Sequence, residues 1–159
     1  MEHESIYTAG PNTRPGNILG DIDGLPAPLQ RTDRGGDITW HGPGQIVGYP
    51  ILDVPVAPGA VANHVYRLEQ LVIDVLADLG LPGAGRRPGY PGVWLDGEGA
   101  GARKICAIGV RLSRGRSMHG FALNVDPDLS LFECIVPCGI SDAGVTSLAK
   151  EGLSVSREQ

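Results

Sequence analysis

The clearest periodic pattern in the chain predicts one amphipathic helix between residues 61 and 79. Apolar side chains recur there at helical spacing, at Val61, Val65, Leu68, Val72, Val75 and Leu79. Polar side chains occupy the other face, at Arg67, Gln70, Asp74 and Asp78. Gly80 and Pro82 follow in the order that ends helices. His64 lies at the edge of the apolar stripe and is predicted to be structural.

Apolar stretches elsewhere predict strands, and the two longest predict a β-hairpin. Residues 104–113 and 117–125 have strand character, and the three residues between them are few enough for a tight connection. Residues 5–9 are predicted to be the end of a strand, and a short strand is predicted at 93–95. Segment 81–92 is rich in Gly, Pro and Arg and is predicted to be a loop.

Short helical turns are predicted near the end of the chain. One is expected at residues 129–133, after Asp126 as an N-cap, and another at 146–151, before Gly152. Segment 156–159 has the pattern of a capping box. The mixture of strands and helical segments, without internal repeats, indicates a single α/β domain over residues 1–159.

The remaining elements are arranged around a Gly-rich stretch at residues 34–51. Two short strands are predicted at 37–40 and 45–52, and a Gly-Pro-Gly turn joins them in a corner that presents His41. A structural hairpin would explain the glycines alone. The nearby polar and aromatic side chains Arg34, Trp40, His41 and Gln45 favour the wall of a binding site.

Composition and charge narrow the class of protein. The chain has 159 residues, 42% of them hydrophobic, and no run of about 18 apolar residues that could span a membrane. The first residues lack the basic and apolar regions of a secretory signal, and the three cysteines suit reduced thiols, so we expect a cytoplasmic protein. The net charge of −5 argues against general nucleic-acid binding.

Positive charge is nevertheless concentrated between residues 86 and 116. This basic segment contains Arg86, Arg87, Arg103, Lys104, Arg111, Arg114 and Arg116. A solvated basic face is one interpretation. The other is a docking surface for an acidic partner protein, in which charge mainly accelerates the encounter.

Lys104 and Cys138 are the candidates for catalytic chemistry. Lys104 begins an apolar strand, where burial disfavours the charged form of a lysine and lets it act as acid or base. The alternative is that Lys104 extends its amine to water at the strand end. Cys138 lies in a Pro-Cys-Gly turn that would display its thiol as a nucleophile, whereas Cys106 and Cys134 are predicted to lie in the core.

Other candidates have weaker support from the sequence alone. His41 and His119 each stand beside a glycine and could line a pocket, but satisfied structural histidines are commoner. Asp142 is predicted to be a turn residue. Cys134 and Cys138 lack the second ligand pair of a zinc site.

Four motifs occur together and in order, at residues 34–50, 104–110, 119–124 and 136–140. Together they resemble the motif set of the lipoyl(octanoyl) transferases, especially the actinobacterial type, over nearly the whole chain. The resemblance implies an α/β fold with a mixed sheet flanked by helices, like the catalytic domain of biotin- and lipoate-protein ligases.

The resemblance also implies an activity and its partners. The family moves an octanoyl group from octanoyl-acyl carrier protein to a lysine of lipoyl domains, in 2-oxo acid dehydrogenase complexes and in the glycine cleavage H protein. This is the first step of endogenous protein lipoylation. By match to the motifs, Cys138 carries the acyl thioester and Lys104 is its acid/base partner. Neither a cofactor nor a metal ion is implied.

The same motifs imply a set of substrate-binding residues. These are Arg34, Gly35, Gly36, His41, Tyr49, Ala107, Ile108, Gly109, His119, Gly120, Phe121, Ala122 and Gly139. Within this set, Gly109 and Gly139 are expected to leave room for the acyl chain and to supply backbone donors.

The chain departs from the family pattern at both ends. A helix and part of a strand are expected to be missing before residue 10, and a final helix after residue 155, which predicts lower stability than that of a full-length member. Three other functions stay open: a biotin- or lipoate-protein ligase, a Cys-dependent acyl hydrolase and a non-catalytic binding module.

Overall fold

The structure, a computed structural model, describes residues 1–139 and 142–154, apart from the side chain of Cys138. It contains a large sheet, a small sheet and one α-helix, and the strand order is β4-β8-β7-β6-β5 in the large sheet and β2-β1-β3 in the small one. Strand β9 adds to β7 in parallel. The strands are β1 Ile6–Ala9, β2 Leu29–Arg31, β3 Ile38–His41, β4 Gln45–Gly48, β5 Ala84–Arg87, β6 Tyr90–Leu95, β7 Arg103–Ser113, β8 Arg116–Asn124 and β9 Gly144–Val145, and the helix is α1 Ala60–Asp78.

Helix α1 confirms the predicted helix, but its buried face is rotated from the predicted stripe. Leu68, Val72 and Leu76 are buried, whereas Val61 and Val75 are 49% and 41% exposed. The buried face also contains His64, which was predicted only at the edge of the stripe, and Glu69, which the apolar pattern did not reveal. The Glu69 carboxylate contacts the backbone of strand β6.

The helix ends as the sequence predicts, in a Schellman motif. Gly80 has φ +94° and donates its N–H to the carbonyl of Ala77. Leu81 donates to the carbonyl of Leu76, which closes the last turn.

The predicted hairpin is confirmed as β7 and β8. Ser113 pairs with Arg116, which leaves a two-residue turn in which both Arg114 and Gly115 have positive φ. This is the turn whose twist matches that of the paired strands. The hairpin therefore sets the register of two of the four sequence motifs.

The Gly-Pro-Gly corner joins two strands that belong to different sheets, so the simple hairpin alternative is wrong. Strand β3 pairs with β1, whereas β4 pairs with β8. Gly44 has φ +90°, and a Cβ there would lie 2.3 Å from the carbonyl oxygen of Asp126. Only glycine lets the chain pass so close as it crosses from the small sheet to the large one.

Several short elements differ from the predictions. The predicted loop 81–92 contains β5, and β2 was not predicted. The cap of the 3-10 turn at Leu129–Phe132 is Asp128 rather than Asp126, because the Asp128 carboxylate accepts the Ser130 N–H at 3.0 Å. The predicted capping box at 156–159 lies outside the described residues.

Each sheet has a hydrophobic cluster of its own. One cluster packs α1 on the large sheet, and its buried members are Val72, Leu76, Ala84, Val93, Leu95, Ile105, Cys106, Leu123, Val125 and Leu148. The other packs the small sheet against the turns that precede residue 137, through Tyr7, Ala27, Ile38, Trp40, Phe132 and Ile135. None of the helices in the described ranges has the length and hydropathy needed to cross a membrane.

Candidate active site

A cavity of about 680 Å³ is lined by both sheets and by the first turns of α1. Of the sequence-predicted site residues whose side chains the structure describes, all except Gly139 line it. They are Arg34, Gly35, Gly36, His41, Tyr49, Lys104, Ala107, Ile108, Gly109, His119, Gly120, Phe121 and Ala122. Three of the four sequence motifs therefore meet around one cavity.

Strand pairing explains how two of these motifs meet. In the β7–β8 ladder, Ala107 faces Ala122, Ile108 faces Phe121 and Gly109 faces Gly120. Residues directly opposite each other on antiparallel strands project on the same face of the sheet. The register thus places the two motifs side by side on the cavity wall.

The third motif reaches this wall through backbone contacts that only glycine permits. The N–H of Gly35 donates to the carbonyl of Val110 at 3.1 Å. A Cβ on Gly35 would lie 2.8 Å from that same oxygen, and one on Gly109 would lie 2.7 Å from the Gly35 oxygen. The missing side chains therefore make room for protein backbone, whereas the sequence predicted room for the acyl chain at Gly109.

Arg34 connects the Gly-rich motif to strand β1 by hydrogen bonds. Its guanidinium donates to the Thr8 carbonyl at 2.5 Å and to the Thr8 hydroxyl at 3.0 Å and 3.1 Å. Arg34 is 9% exposed and also donates to the Gly35 carbonyl at 3.2 Å. The side chain is therefore held as part of the wall.

His41 is held in one tautomer by a chain of side-chain amides. The Asn124 amide donates to the Thr146 carbonyl at 2.9 Å, so its oxygen accepts from Gln45 Nε2, also at 2.9 Å. That nitrogen donates to the Trp40 carbonyl as well, which leaves the Gln45 oxygen as the acceptor facing His41 Nδ1 at 3.1 Å. His41 therefore carries its hydrogen on Nδ1, and its Nε2 is an acceptor.

The surroundings of His41 favour its neutral form by lowering its pKa. Burial lowers the pKa of His41 to about 4, and the positive charge of Arg34 adds to this effect. His3, which the sequence did not suggest, lies beside it, with ring centroids 6.2 Å apart. His3 Nε2 lies 2.6 Å from the hydroxyl of Tyr49, whose pKa is raised by burial.

His119 has an unusual backbone and an acidic partner. Its φ is +60°, a conformation that costs free energy for a residue with a Cβ and that often occurs at functional sites. Its Nε2 lies 2.6 Å from Asp33, which also pairs with Arg111. The hydrogen bond from His119 lowers the pKa of Asp33, and Arg111 adds to it. Asp33 adjoins the Gly-rich motif but was not predicted from the sequence.

Lys104 is buried, and the alternative that it extends its amine to water is wrong. The residue is 7% exposed and lines the cavity. Its Nζ donates to the carbonyl of Pro91 at 3.1 Å and lies 4.7 Å from the centroid of the Trp94 ring. An ammonium group has three donors, so this contact leaves donors for a substrate or water.

Cys106 lies in the core as predicted, whereas Cys134, also predicted there, is only partly buried. Cys106 is fully buried, and burial raises the pKa of its thiol to about 12, so it is a core residue. Cys134 is half-buried beside Tyr7, whose pKa is raised to about 12 by burial and by that thiol. The side chain of Cys138 lies outside the described residues, so its distance from Lys104 stays a prediction.

The backbone around Cys138 lies close to the cavity wall. Residues Pro137–Gly139 form a 3-10 turn, and Gly139 has φ +69°. A Cβ on Gly139 would lie 2.9 Å from Asp37 Oδ2, and Asp37 lines the cavity. Asp37 is held by Asn17, which donates to it at 2.6 Å, and the sequence gave no indication of either role.

The basic segment does not form one free positive face. Among the described residues, five of its six arginines pair with carboxylates that come from elsewhere in the chain. These pairs are Arg86 with Glu69, Arg87 with Asp142, Arg103 with Glu151, Arg111 with Asp33 and Arg116 with Asp53. Much of the predicted docking charge is thus compensated within the protein.

The structure defines an α/β domain with a cavity between its two sheets and its helix, and comparison with known proteins identifies its family. A family model described as the lipoyl protein ligase A/B catalytic domain matches residues 1–159. The chain belongs to this family, as the four motifs predicted.

Curated relatives within this family carry a more specific name than the family model does. The chain is 55% identical to an octanoyltransferase of Salinispora tropica over 152 residues, which are 95% of this chain and 68% of the relative. It is 57% identical over 155 residues to an octanoyltransferase of Mycobacterium tuberculosis, covering 95% of this chain and 62% of the relative. The chain is therefore shorter than these relatives, and the resemblance to actinobacterial octanoyltransferases is confirmed.

Solved structures confirm the predicted fold class. The bi-partite lipoate protein ligase of Thermoplasma acidophilum superposes with a TM-score of 0.71 at 16% identity, over 99% of this chain and 63% of that one. A lipoate-protein ligase A bound with ATP superposes with a TM-score of 0.66, also at 16% identity, over 99% of this chain and 64% of that one.

Proposed function

We propose that this protein transfers an octanoyl group from octanoyl-acyl carrier protein to a lysine of a lipoyl domain, by way of a thioester on Cys138. The observation that carries the proposal is the meeting of three family motifs around one cavity that Lys104 also lines. The identity of 53–57% to octanoyltransferases supports the same reaction. The proposed acceptors are the lipoyl domains of 2-oxo acid dehydrogenase complexes and the glycine cleavage H protein, and the proposed location is the cytoplasm.

The cavity suits a flexible apolar chain. Aliphatic and aromatic side chains from four elements face it, namely Val47, Val61, Val65, Ile108, Val110 and Phe121. Small-molecule sites combine a mostly apolar lining with a few polar groups that fix orientation. Here the polar groups include Lys104, the acceptor Nε2 of His41 and His119, whose Nε2 contacts Asp33 outside the lining.

The first half-reaction is thioester exchange. The thiolate of Cys138 attacks the carbonyl carbon of octanoyl-acyl carrier protein, a new C–S bond forms, and the bond to the carrier thiol breaks. The ammonium of Lys104 favours the attacking thiolate and can return a proton to the leaving thiolate. Backbone N–H groups near Gly139 are the candidate donors to the oxyanion.

The second half-reaction forms the amide. The amine of the acceptor lysine attacks the Cys138 thioester, the C–N bond forms, and Cys138 leaves as a thiolate. The attacking nitrogen gives up a proton, which neutral Lys104 accepts. Because the acyl group is already activated as a thioester, the transfer consumes no ATP.

Acyl transfer measured with purified components tests this proposal. Octanoyl-acyl carrier protein and a lipoyl domain are incubated with the enzyme, with and without ATP, and the mass of the lipoyl domain is followed. We expect one octanoyl group to be added equally in both cases. A strict requirement for ATP would identify a ligase, the activity named for the structural relatives, and release of free octanoate without acceptor modification would identify a hydrolase.

The nucleophile is tested separately by mapping the acyl-enzyme. Incubation with the donor alone, followed by digestion, should locate octanoate on the peptide that contains Cys138. Cys138→Ser should prevent transfer, while Cys106→Ser is the matched control that leaves it intact. An adduct on Cys106 with Cys138 unmodified would contradict the assignment.

A further inference from the structure

A buried carboxylate lies on α1 beneath the Lys104 side of the cavity. Glu69 is 7% exposed, and both of its oxygens have partners. Oε1 accepts the N–H of Gly92 at 3.1 Å, and Oε2 accepts from Nε of Arg86 at 3.0 Å. A buried charge needs such partners because its removal from water is costly. The described catalytic chemistry does not use this group.

Glu69 and Lys104 bind opposite ends of the same peptide group. Nζ of Lys104 donates to the carbonyl oxygen of Pro91, and the next atom of that peptide unit is the nitrogen whose N–H Glu69 accepts. The peptide is planar and trans, so its C=O and N–H point in opposite directions. The order of contacts is therefore carboxylate, N–H, C=O and lysine nitrogen.

We propose that Glu69 is a positioning residue for Lys104 that acts through the peptide group joining Pro91 to Gly92. The carboxylate fixes the orientation of this group and so places the oxygen that receives Lys104 Nζ. Hydrogen bonds in a chain polarise one another, so a negative charge at the N–H end strengthens the carbonyl as an acceptor. The ammonium form of Lys104 gains from this, since it is the form that donates with a positive charge.

Gly92 is the residue that makes this geometry possible. Its φ is +127°, and a Cβ there would lie 2.5 Å from the carbonyl oxygen of Cys106 and 3.3 Å from Cδ and Cε of Lys104. A side chain would therefore push the lysine stem away from the peptide that it must reach. The ring of Trp94 bounds the amine on another side, with its centroid 4.7 Å from Nζ.

Arg86 holds Glu69 in place from strand β5. Besides its bond to the carboxylate, it donates to the carbonyl of Tyr66 at 3.1 Å and to the side-chain oxygen of Gln70 at 2.8 Å. Its guanidinium also stacks on the ring of Tyr66, 3.8 Å from the centroid. Since Arg86 has these additional partners on α1, it supports the carboxylate without reaching the cavity.

The other ionisable groups near Lys104 include Tyr90, which lines the same cavity, Cys106 and Arg87, and the side chain of Cys138 lies outside the described residues. On its own strand lies Cys106, a buried thiol whose pKa is raised to about 12 chiefly by burial, so it stays neutral near pH 7. Arg87 of β5 packs on the Trp94 ring with its guanidinium 5.2 Å from the centroid. Among the described residues that surround Lys104 from α1, β5, β6 and β7, Glu69 thus supplies the negative charge.

Direct observation of Lys104 by NMR tests the proposal, because the chain has only two lysines. Lysine labelled with ¹³C at Cε gives two signals, and Lys150→Arg assigns them. Glu69→Gln keeps the shape and an acceptor for the Gly92 N–H but removes the charge. We expect it to move the titration midpoint of Lys104 to lower pH by about one unit, the scale of one charge-assisted hydrogen bond.

Asp74→Asn is the matched control. Asp74 lies on the same helix, is exposed and accepts a hydrogen bond from Gln70 at 2.7 Å, but it does not contact the Pro91–Gly92 peptide. Loss of the Asp74 charge should leave the Lys104 signal unchanged. This control distinguishes an effect of Glu69 on Lys104 from a general effect of removing a negative charge from the helix. An unchanged Lys104 midpoint in folded Glu69→Gln would overturn the proposal. If that variant does not fold, Glu69→Asp keeps the charge one methylene further away and should give a smaller shift in the same direction.

The kinetic arm rests on the proposed function. Glu69→Gln should lower kcat for octanoyl transfer about tenfold, with KM for the donor nearly unchanged, since the loss concerns proton transfer rather than binding. Failure of the wild-type protein to transfer octanoate would contradict the proposed function alone, because the NMR titration does not depend on it. A parallel fall of kcat in Asp74→Asn would instead attribute the effect to the helix as a whole.

Discussion

His41 and Lys104 face the same cavity from different sheets, His41 from β3 of the small sheet and Lys104 from β7 of the large one. Their surroundings differ in kind. His41 ends a chain of amide hydrogen bonds that fixes its tautomer, and burial lowers its pKa to about 4. Lys104 has one hydrogen bond to a carbonyl among the described residues, and two donors remain for other partners.

This difference assigns separate tasks to the two walls. A group that must gain and lose a proton during turnover needs a local environment in which both forms have partners. Lys104 meets this condition, because its partners can include substrate and water. His41 does not, because burial and the nearby positive charge of Arg34 favour the neutral ring. His41 is therefore expected to orient substrate as an acceptor, and the proton transfers are expected at Lys104.

The largest expected effect comes from Lys104, and it tests the comparison most directly. Lys104→Arg keeps a positive charge but cannot give up a proton, so acylation of Cys138 should continue slowly while transfer to the lipoyl domain falls at least about a hundredfold. Lys104→Ala should impair both half-reactions. Single-turnover acylation and transfer are measured separately by mass. A near-native rate of complete transfer in Lys104→Arg would reduce Lys104 to an electrostatic role and return His41 or His119 to consideration as the base.

The next effect concerns pH and the neutral state of His41. Its folded pKa of about 4 lies below the usual value of 6.5, so the unfolded chain binds the proton first as pH falls. This contribution to stability is complete above pH 6.5 and is lost between 6.5 and 4, by at most about 3 kcal/mol.

Urea unfolding at several pH values between 7 and 4 measures this loss. His41→Gln should show a smaller decrease than wild type across that interval. Some decrease should persist, since burial also lowers the pKa of His64. Equal pH dependence in His41→Gln and wild type would show that His41 is not held neutral by the fold.

The large sheet could be predicted from the sequence to a greater extent than the small one. The pattern of residues 104–125 revealed the β7–β8 hairpin because two apolar stretches follow each other closely in the sequence, with a short polar connection between them. Helix α1 was revealed by its period. Strand β2 is three residues long, and its partner β1 lies about twenty residues earlier, so no local pattern marks the pairing.

The candidate site was predicted through its motifs, while its supporting contacts were not. Motif resemblance named Lys104, His41 and the glycines, which the structure places around one cavity. Glu69 was missed because a single buried carboxylate in an amphipathic helix has the same spacing as an apolar core position. Asp33 and Asp37 were missed because their roles depend on contacts with residues far away in the sequence.

A smaller effect is expected at the junction where the two walls touch. Gly109→Ala would place a Cβ 2.7 Å from the carbonyl oxygen of Gly35, so the Gly-rich motif must move away from β7 at a cost of about 1–3 kcal/mol. Gly85→Ala is the matched control, since no atom lies within 4 Å of its Cβ position. Thermal unfolding should show a lower Tm for Gly109→Ala and an unchanged or slightly higher Tm for the control. Equal Tm values for the two variants would show that the walls are not in close contact at Gly109.

The smallest expected effect concerns the basic hairpin turn, at the far end of β7 from Lys104. Arg114 and Arg116 are the candidates for contact with the acyl carrier protein, and the Arg116 side chain is 73% exposed despite its pairing with Asp53 at 3.3 Å. Arg114→Glu with Arg116→Glu should slow association with the donor about threefold at low salt and weaken its salt dependence, because exposed charges mainly affect the encounter rate. Arg14→Glu with Arg31→Glu, at two exposed positions outside the basic segment, is the control for the same change in net charge alone. Association rates are measured by stopped-flow mixing with labelled carrier protein, and saturating donor should restore the wild-type rate. If the transfer rate at saturating donor instead falls sharply while the association rate is unchanged, these arginines belong to the active site. The cavity walls and the exposed hairpin turn would then not have separate roles.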